Sequence, residues 1–110
     1  MSNRLSQPVG PEDHVRGAAR AAVTLVECGD YQCSCCGRAH AEVGKLLAVA
    51  GSRVRYVFRN FPLVGVHPAA KATAEAAEAA ATVGKFWGMH DWLFTHQQSL
   101  QSARAASRQA

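Results

Sequence analysis

The chain has 110 residues, a length that fits one small domain and excludes two. Apolar residues make up 48%, but alanine supplies much of that share, so few large side chains are left to build a core. The formal net charge of +4 is modest, its arginines are scattered rather than clustered, and no nucleic-acid motif accompanies them; they read as a solvated surface and nucleic acid is not an expected partner.

Met1–Ala22 is polar, broken by Pro8, Gly10, Pro11 and Gly17, and is expected to be an irregular lead-in, with His14 a surface residue. It has no long apolar stretch of the kind a signal peptide carries. Nowhere is there a run of about eighteen apolar residues, so no membrane span or membrane partner is expected. The expected compartment is the cytoplasm, where structural disulfides are rare and catalytic ones transient.

Val23–Glu27 is a continuous apolar run and predicts a first strand, buried on both faces. Cys28 ends it and reads as an inert small hydrophobe. A polar turn follows, then Cys33-Ser34-Cys35-Cys36 opens a helix over Ser34–Ala50. Cys36, Ala39, His40, Val43, Leu47 and Ala50 recur at helical spacing as its inward stripe, and Gly51 is a stop. Arg53–Phe61 alternates and predicts a second strand, less completely buried than the first. The helix between two strands makes a β-α-β unit, expected to be right-handed.

Asn60–Pro68 is a turn region in which Pro68 suits the first position of a helix. Ala69–Val83 is alanine-rich and favours helix. Lys85–Leu100 predicts another helix, with Phe86, Met89 and Leu93 on one stripe and Trp87 and Trp92 as core or cover. His90 and His96 have no clear metal spacing with the cysteines. Gln101–Ala110 has no large apolar residue and is expected to be a frayed polar tail.

The chemistry concentrates at the cysteines. All four fall between Cys28 and Cys36, whereas a secreted disulfide framework would spread them to staple distant segments. Strand, turn, Cys-x-x-Cys and helix is the arrangement of a redox pair. Cys33 and Cys36 lie three apart and face the same side of a first helical turn. One turn supplies the Cα separation of roughly 4.4–6.8 Å that a disulfide needs. Cys33 at the N-cap meets unpaired backbone N–H groups and the positive end of the helix dipole, equivalent to roughly half a charge. Both favour thiolate, the nucleophilic form, so Cys33 is assigned as the attacking catalytic thiol and Cys36 as the resolving one. Cys35 points away from their shared face and is exposed to side reactions such as glutathionylation. His40, one turn beyond Cys36, reads as a packed residue or as one that tunes the thiols.

The stretches GPEDHVRG, VTLVECGDYQCSCCGRAH, VRYVFRNFPL with HP following, and AEAAEAA with GKFWGMHDWLF resemble the DsbA-like thioredoxin-fold family. The match runs from about Val9 to Leu100 and is closest to the family's soluble, cytosolic branch, a relative of which occurs fused to sodium/proton antiporters. The resemblance implies an α/β fold with a helical insertion after the second strand. It also implies thiol–disulfide oxidoreductase chemistry on Cys33 and Cys36, without cofactor or metal, acting on protein or small thiol and disulfide substrates. Three departures stand out. Ser34 and Cys35 replace the Pro and the aromatic or His usual between the cysteines. Cys28 replaces an aromatic residue usual before the Gly-Asp turn. The cis-proline loop, two further strands and final helix of the family match no residue here. The expectation is therefore a partial thioredoxin-like fold lacking the C-terminal strands, in three parts: residues 1–22 as lead-in, 23–100 as truncated domain, 101–110 as tail. Two strands make a poor sheet, and the exposed sheet edge is expected to drive self-association or partner pairing.

Two other readings stand beside the enzyme. One is a non-catalytic thioredoxin-like remnant or interaction module. The other is a zinc-binding module using Cys28, Cys33, Cys36 and either Cys35 or His40.

Overall fold

The computed structural model describes residues 5–100, and the expected polar tail 101–110 lies outside them. Three strands form one sheet in the order β1-β3-β2. They are β1 (His14–Gly17), β2 (Val23–Gly29) and β3 (Val54–Asn60). β1 runs antiparallel to β3, with Val15 opposite Val57; β2 runs parallel to it, with Leu25 opposite Tyr56 and Gly29 opposite Asn60. Helix α1 (Ser34–Ala50) and a short 3₁₀ turn (Gly51–Arg53) join β2 to β3, completing the β-α-β unit. Helices α2 (Ala70–Ala81) and α3 (Phe86–Thr95) follow, and helical geometry returns at 97–100.

Three expectations are corrected by the sheet. The lead-in is not irregular throughout, because β1 lies within it and gives the sheet a third strand. Only four residues long, β1 carries too short an alternation to stand out from its Pro- and Gly-rich surroundings. The burial of the other two strands is also the reverse of that expected. β2 is an edge strand whose Val23 and Leu25 are exposed. β3 is central, and the consecutive burial of Tyr56, Val57 and Phe58 means both its faces are covered there. The arginines that made β3 look half-solvated are instead pinned. Arg59 grips the Asp13 carboxylate at 2.8 and 2.9 Å and also donates to the Gln7 carbonyl. Arg55 donates to the Thr24 hydroxyl on β2 at 2.7 Å.

The core sits on the Tyr56/Phe58 face of the sheet, under α1 and α3. Tyr31, Tyr56, Phe58, Ala77, Phe86, Leu93 and Phe94 form one buried cluster, against which Cys36, Val43 and Leu47 of α1 lean. Burying each large side chain contributes about 1.5–3 kcal/mol. Residues 86, 90, 93 and 94 fall on one face of α3, and all four are buried. His90 is at the hub, its ring edge-on to Phe58 at 4.6 Å and to Phe94 at 5.1 Å. α2 uses small residues, Ala70, Thr73, Ala74 and Ala77, to approach closely. Its N-cap is Ala69, so Pro68 lies ahead of the helix rather than at its first position.

β1 is fastened to α3 and α2 by side chains. Arg16 reaches both Asp91 oxygens at 3.0 and 2.8 Å and lies over the Trp87 ring at 4.6 Å. The Trp87 indole donates to the Val15 carbonyl at 3.1 Å. His14 is more than a surface residue: it pairs with Glu78 at 2.9 Å and stacks on Phe86. Trp87 serves as cover, whereas Trp92 is half exposed and stacks on His96.

Candidate active site

The polar turn after β2 is held at every residue. Gly29 accepts from the Phe61 N–H at 2.8 Å, and its lack of a Cβ lets the Phe58 ring pack against it, where an added carbon would clash. Asp30 is buried; its carboxylate accepts from the backbone N–H of Gln32 (2.9 Å) and Leu63 (3.1 Å) and from His67 Nδ1 (2.7 Å). The Tyr31 side chain turns into the core and its hydroxyl meets His90 Nδ1 at 2.9 Å. Gln32 accepts from the Ala69 N–H at 2.7 Å, tying the turn to the start of α2. The Gln97 amide donates to the Tyr31 and Cys33 carbonyls at 2.7 and 2.8 Å. A buried loop must place its backbone groups somewhere, and these partners do so.

Cys33 is the N-cap of α1, extended at φ −76° and ψ 122°, with no side-chain cap competing for the first N–H groups. Those groups are free to serve its sulfur. The backbone N–H groups of Cys36 and Cys35 and the Cys36 thiol hold the Cys33 thiol below its ordinary pKa, against partial burial and the Asp30 charge. Cys36 moves the other way. Burial pushes it up to about 11, and the charges of Cys33 and Glu27 add to the rise. Both cysteines are half-buried and free, one turn apart. Two thiols with ionisation pulled apart in this way can divide the labour of an exchange reaction.

The remaining candidates separate from this pair. Cys28 is exposed at the end of β2, so it is not the buried hydrophobe expected. Cys35 is also exposed and accepts from Arg38 at 3.1 Å. The zinc set of Cys28, Cys33, Cys36 and Cys35 or His40 is not brought together. Among the described residues the convergent grouping is His40, His90 and Asp91, with ligand atoms within 4.8 Å of one another and no cysteine. Arg16 already claims both Asp91 oxygens there, and its positive charge opposes a cation. His40 packs against Phe94 and lies 3.7 Å from Asp91. His90 is far from ionising: burial holds its pKa down to about 3. A cavity of about 940 Å³ lies between α2 and α3, lined by Ala76, Ala80, Val83, Met89 and Trp92 among others and by no cysteine.

Five contributors were not singled out from the sequence. Glu27 had a signal, an acid inside an apolar strand, and it accepts from the Tyr56 hydroxyl. Asp30 and Tyr31 were read only as a polar turn. His67 lies in the 60–68 turn region with no local sign of a role. Gln97 has no local signal, since its role depends on the chain after α3 returning to the cysteine turn.

A mixed sheet with a cysteine pair capping the helix after its edge strand defines a thioredoxin-like α/β domain. The Thioredoxin_4 model, described as thioredoxin, matches residues 10–110, and the chain belongs to that family. In structure it is similar to a thioredoxin-like oxidoreductase from Silicibacter pomeroyi, with a TM-score of 0.70 and 38% identity over 77% of this chain and 47% of that one. In sequence it is 53% identical to Na(+)/H(+) antiporter NhaA 3 of Salinispora tropica and 51% identical to Na(+)/H(+) antiporter NhaA 1 of Salinispora arenicola. Each match covers 90% of this chain and 15% of the relative, so the chain spans a small part of those proteins. Among the described residues no helix is long and apolar enough to cross a membrane.

Proposed function

We propose that the protein is a DsbA-like thiol–disulfide oxidoreductase in which Cys33 attacks and Cys36 resolves. The observation that carries this is the placement of two free thiols on one helical turn, Cys33 at the N-cap of α1 and Cys36 one turn inward, with burial and charge favouring thiolate at Cys33 and thiol at Cys36.

The steps balance as follows. The Cys33 thiolate attacks one sulfur of a substrate disulfide, forming a mixed disulfide and releasing the other sulfur as thiolate. Cys36 gives up its proton and attacks the Cys33 sulfur, closing the Cys33–Cys36 disulfide and releasing the second substrate thiolate. The substrate gains two electrons and the cysteine pair loses two; run backwards, the same steps oxidise a dithiol. Protein or small-molecule disulfides serve as substrates, and the cytoplasm, where catalytic disulfides are transient, is the proposed setting.

Mixed-disulfide trapping tests the division of roles. In a Cys28→Ser/Cys35→Ser background, Cys36→Ser should accumulate a disulfide-linked adduct at Cys33 when given a model disulfide. Cys33→Ser should accumulate little, because Cys36 is half-buried and protonated. Equal adduct in the two variants would refute the assignment.

The exposed edge of β2 supports a second property. Its Val23 and Leu25 side chains and unpaired edge suit pairing with another strand, from a second copy or a partner. A monomer at high concentration in sedimentation experiments would remove the self-pairing version.

A further inference from the structure

We propose that His67 is a positioning residue for the Cys33 nucleophile, acting through the buried Asp30 carboxylate; this rests on Cys33 being the attacking thiol. Asp30 joins two parts of the molecule. Its backbone carbonyl accepts from the Cys33 N–H at 3.1 Å, so it is built into the start of α1. Its side chain accepts from Leu63 N–H and His67 Nδ1, both on the connection between β3 and α2. An ionised carboxylate only accepts hydrogen bonds, so His67 Nδ1 carries the proton in this contact, at 2.7 Å. That fixes the tautomer and leaves a strong donor on a carboxylate whose side chain is 2% exposed.

The consequence for Cys33 is electrostatic. The Asp30 charge opposes the Cys33 thiolate, as the smallest of the influences acting on it. Each donor on that carboxylate draws its charge away from the sulfur. The Gln32 and Leu63 donors are backbone and invariable; His67 is the one side chain among them. The other charges acting at the pair are Glu27 from β2, felt at Cys36, and the two sulfurs themselves. The 61–68 connection thereby bears, through Asp30, on how readily Cys33 ionises.

The test is the rate of Cys33 alkylation by iodoacetamide from acid to alkaline pH, read by mass in the Cys28→Ser/Cys35→Ser background. His67→Ala should slow the reaction at neutral pH, by up to about tenfold for a one-unit rise in the Cys33 titration. His67→Gln keeps an N–H donor and should restore most of the rate. Asp30→Asn removes the opposing charge and should quicken alkylation, and adding His67→Ala to it should change nothing further. A His67→Ala protein that melts lower but alkylates at the parent rate would make the contact purely structural and overturn the proposal. So would a slowing that persists in the Asp30→Asn background. If His67→Ala does not fold, Asp30→Asn alone decides, since an unchanged rate there contradicts the proposal. Because alkylation needs no working redox couple, a pair that fails to form a reversible disulfide would sink the oxidoreductase reading without obscuring this result.

Discussion

Around Tyr56, Phe58 and His90 the side chains are 0–2% exposed and pack ring against ring. A few residues away, around Cys33 and Cys36, α1 has no fully buried residue, and its neighbour β2 lies at the sheet edge. The dense region supplies stability, and under the proposed function the open one supplies reactivity. Tyr31 connects them: its side chain is in the aromatic centre and its backbone is two residues before Cys33. The turn before Cys33 thus gains rigidity from anchors on other elements, namely His90, His67, Ala69 and Gln97. Open sites on rigid scaffolds are how binding and catalytic loops are commonly held.

The strongest way to break the contrast is at its dense side. Phe58→Ala should cost about 3–5 kcal/mol, from lost burial and the cavity left among Tyr31, Phe86 and Phe94. A protein of this size should then be largely unfolded, which urea titration followed by circular dichroism would reveal. A loss under about 1 kcal/mol would mean the aromatic centre is not what holds the fold.

Acid should act on the same region. The folded pKa of His90, about 3, is depressed below its ordinary 6.5. Its contribution is therefore complete above pH 6.5 and lost progressively as pH falls toward 3. The cumulative loss is on the order of 4 kcal/mol. Asp13, held near 2 by Arg59, adds a further loss only below its ordinary 3.8. Urea midpoints between pH 7 and pH 4 should fall steeply in the parent and less steeply in His90→Phe. Parallel slopes would show that His90 is not the group that protonates.

A smaller effect sharpens the account of β1. Arg16→Met removes the grip on Asp91 while keeping much of the cover over Trp87, and should cost about 1–2 kcal/mol because the pair is only partly buried. The smallest effect is at the open end. Cys35→Ser should change stability by less than about 0.5 kcal/mol and leave the Cys33–Cys36 couple intact, since Cys35 is exposed and off their shared face. Loss of reversible exchange in that variant would contradict the pairing of Cys33 with Cys36.

Much of this was legible in the sequence because it is local. The Ser34–Ala50 helix, its Cys33 cap and its inward stripe follow from spacing within the segment. The alanine run of α2 and the Phe86/Leu93 stripe are similarly self-contained. What was not legible depends on where segments meet. An apolar run such as Val23–Val26 looks buried, yet sheet order places it at the edge. Arginines on β3 look solvated until Asp13 and Thr24 arrive from other elements. His67 and Gln97 gain meaning only from partners more than thirty residues away.

The central claim, that Cys33 and Cys36 form a working redox couple, is tested most directly by equilibrating the purified chain in glutathione buffers of graded potential, then alkylating and weighing it. The account predicts one reversible two-electron step that disappears in both Cys33→Ser and Cys36→Ser and survives in Cys35→Ser. Glutathione-capped or scrambled species with no defined step, or a step that persists without Cys36, would contradict it.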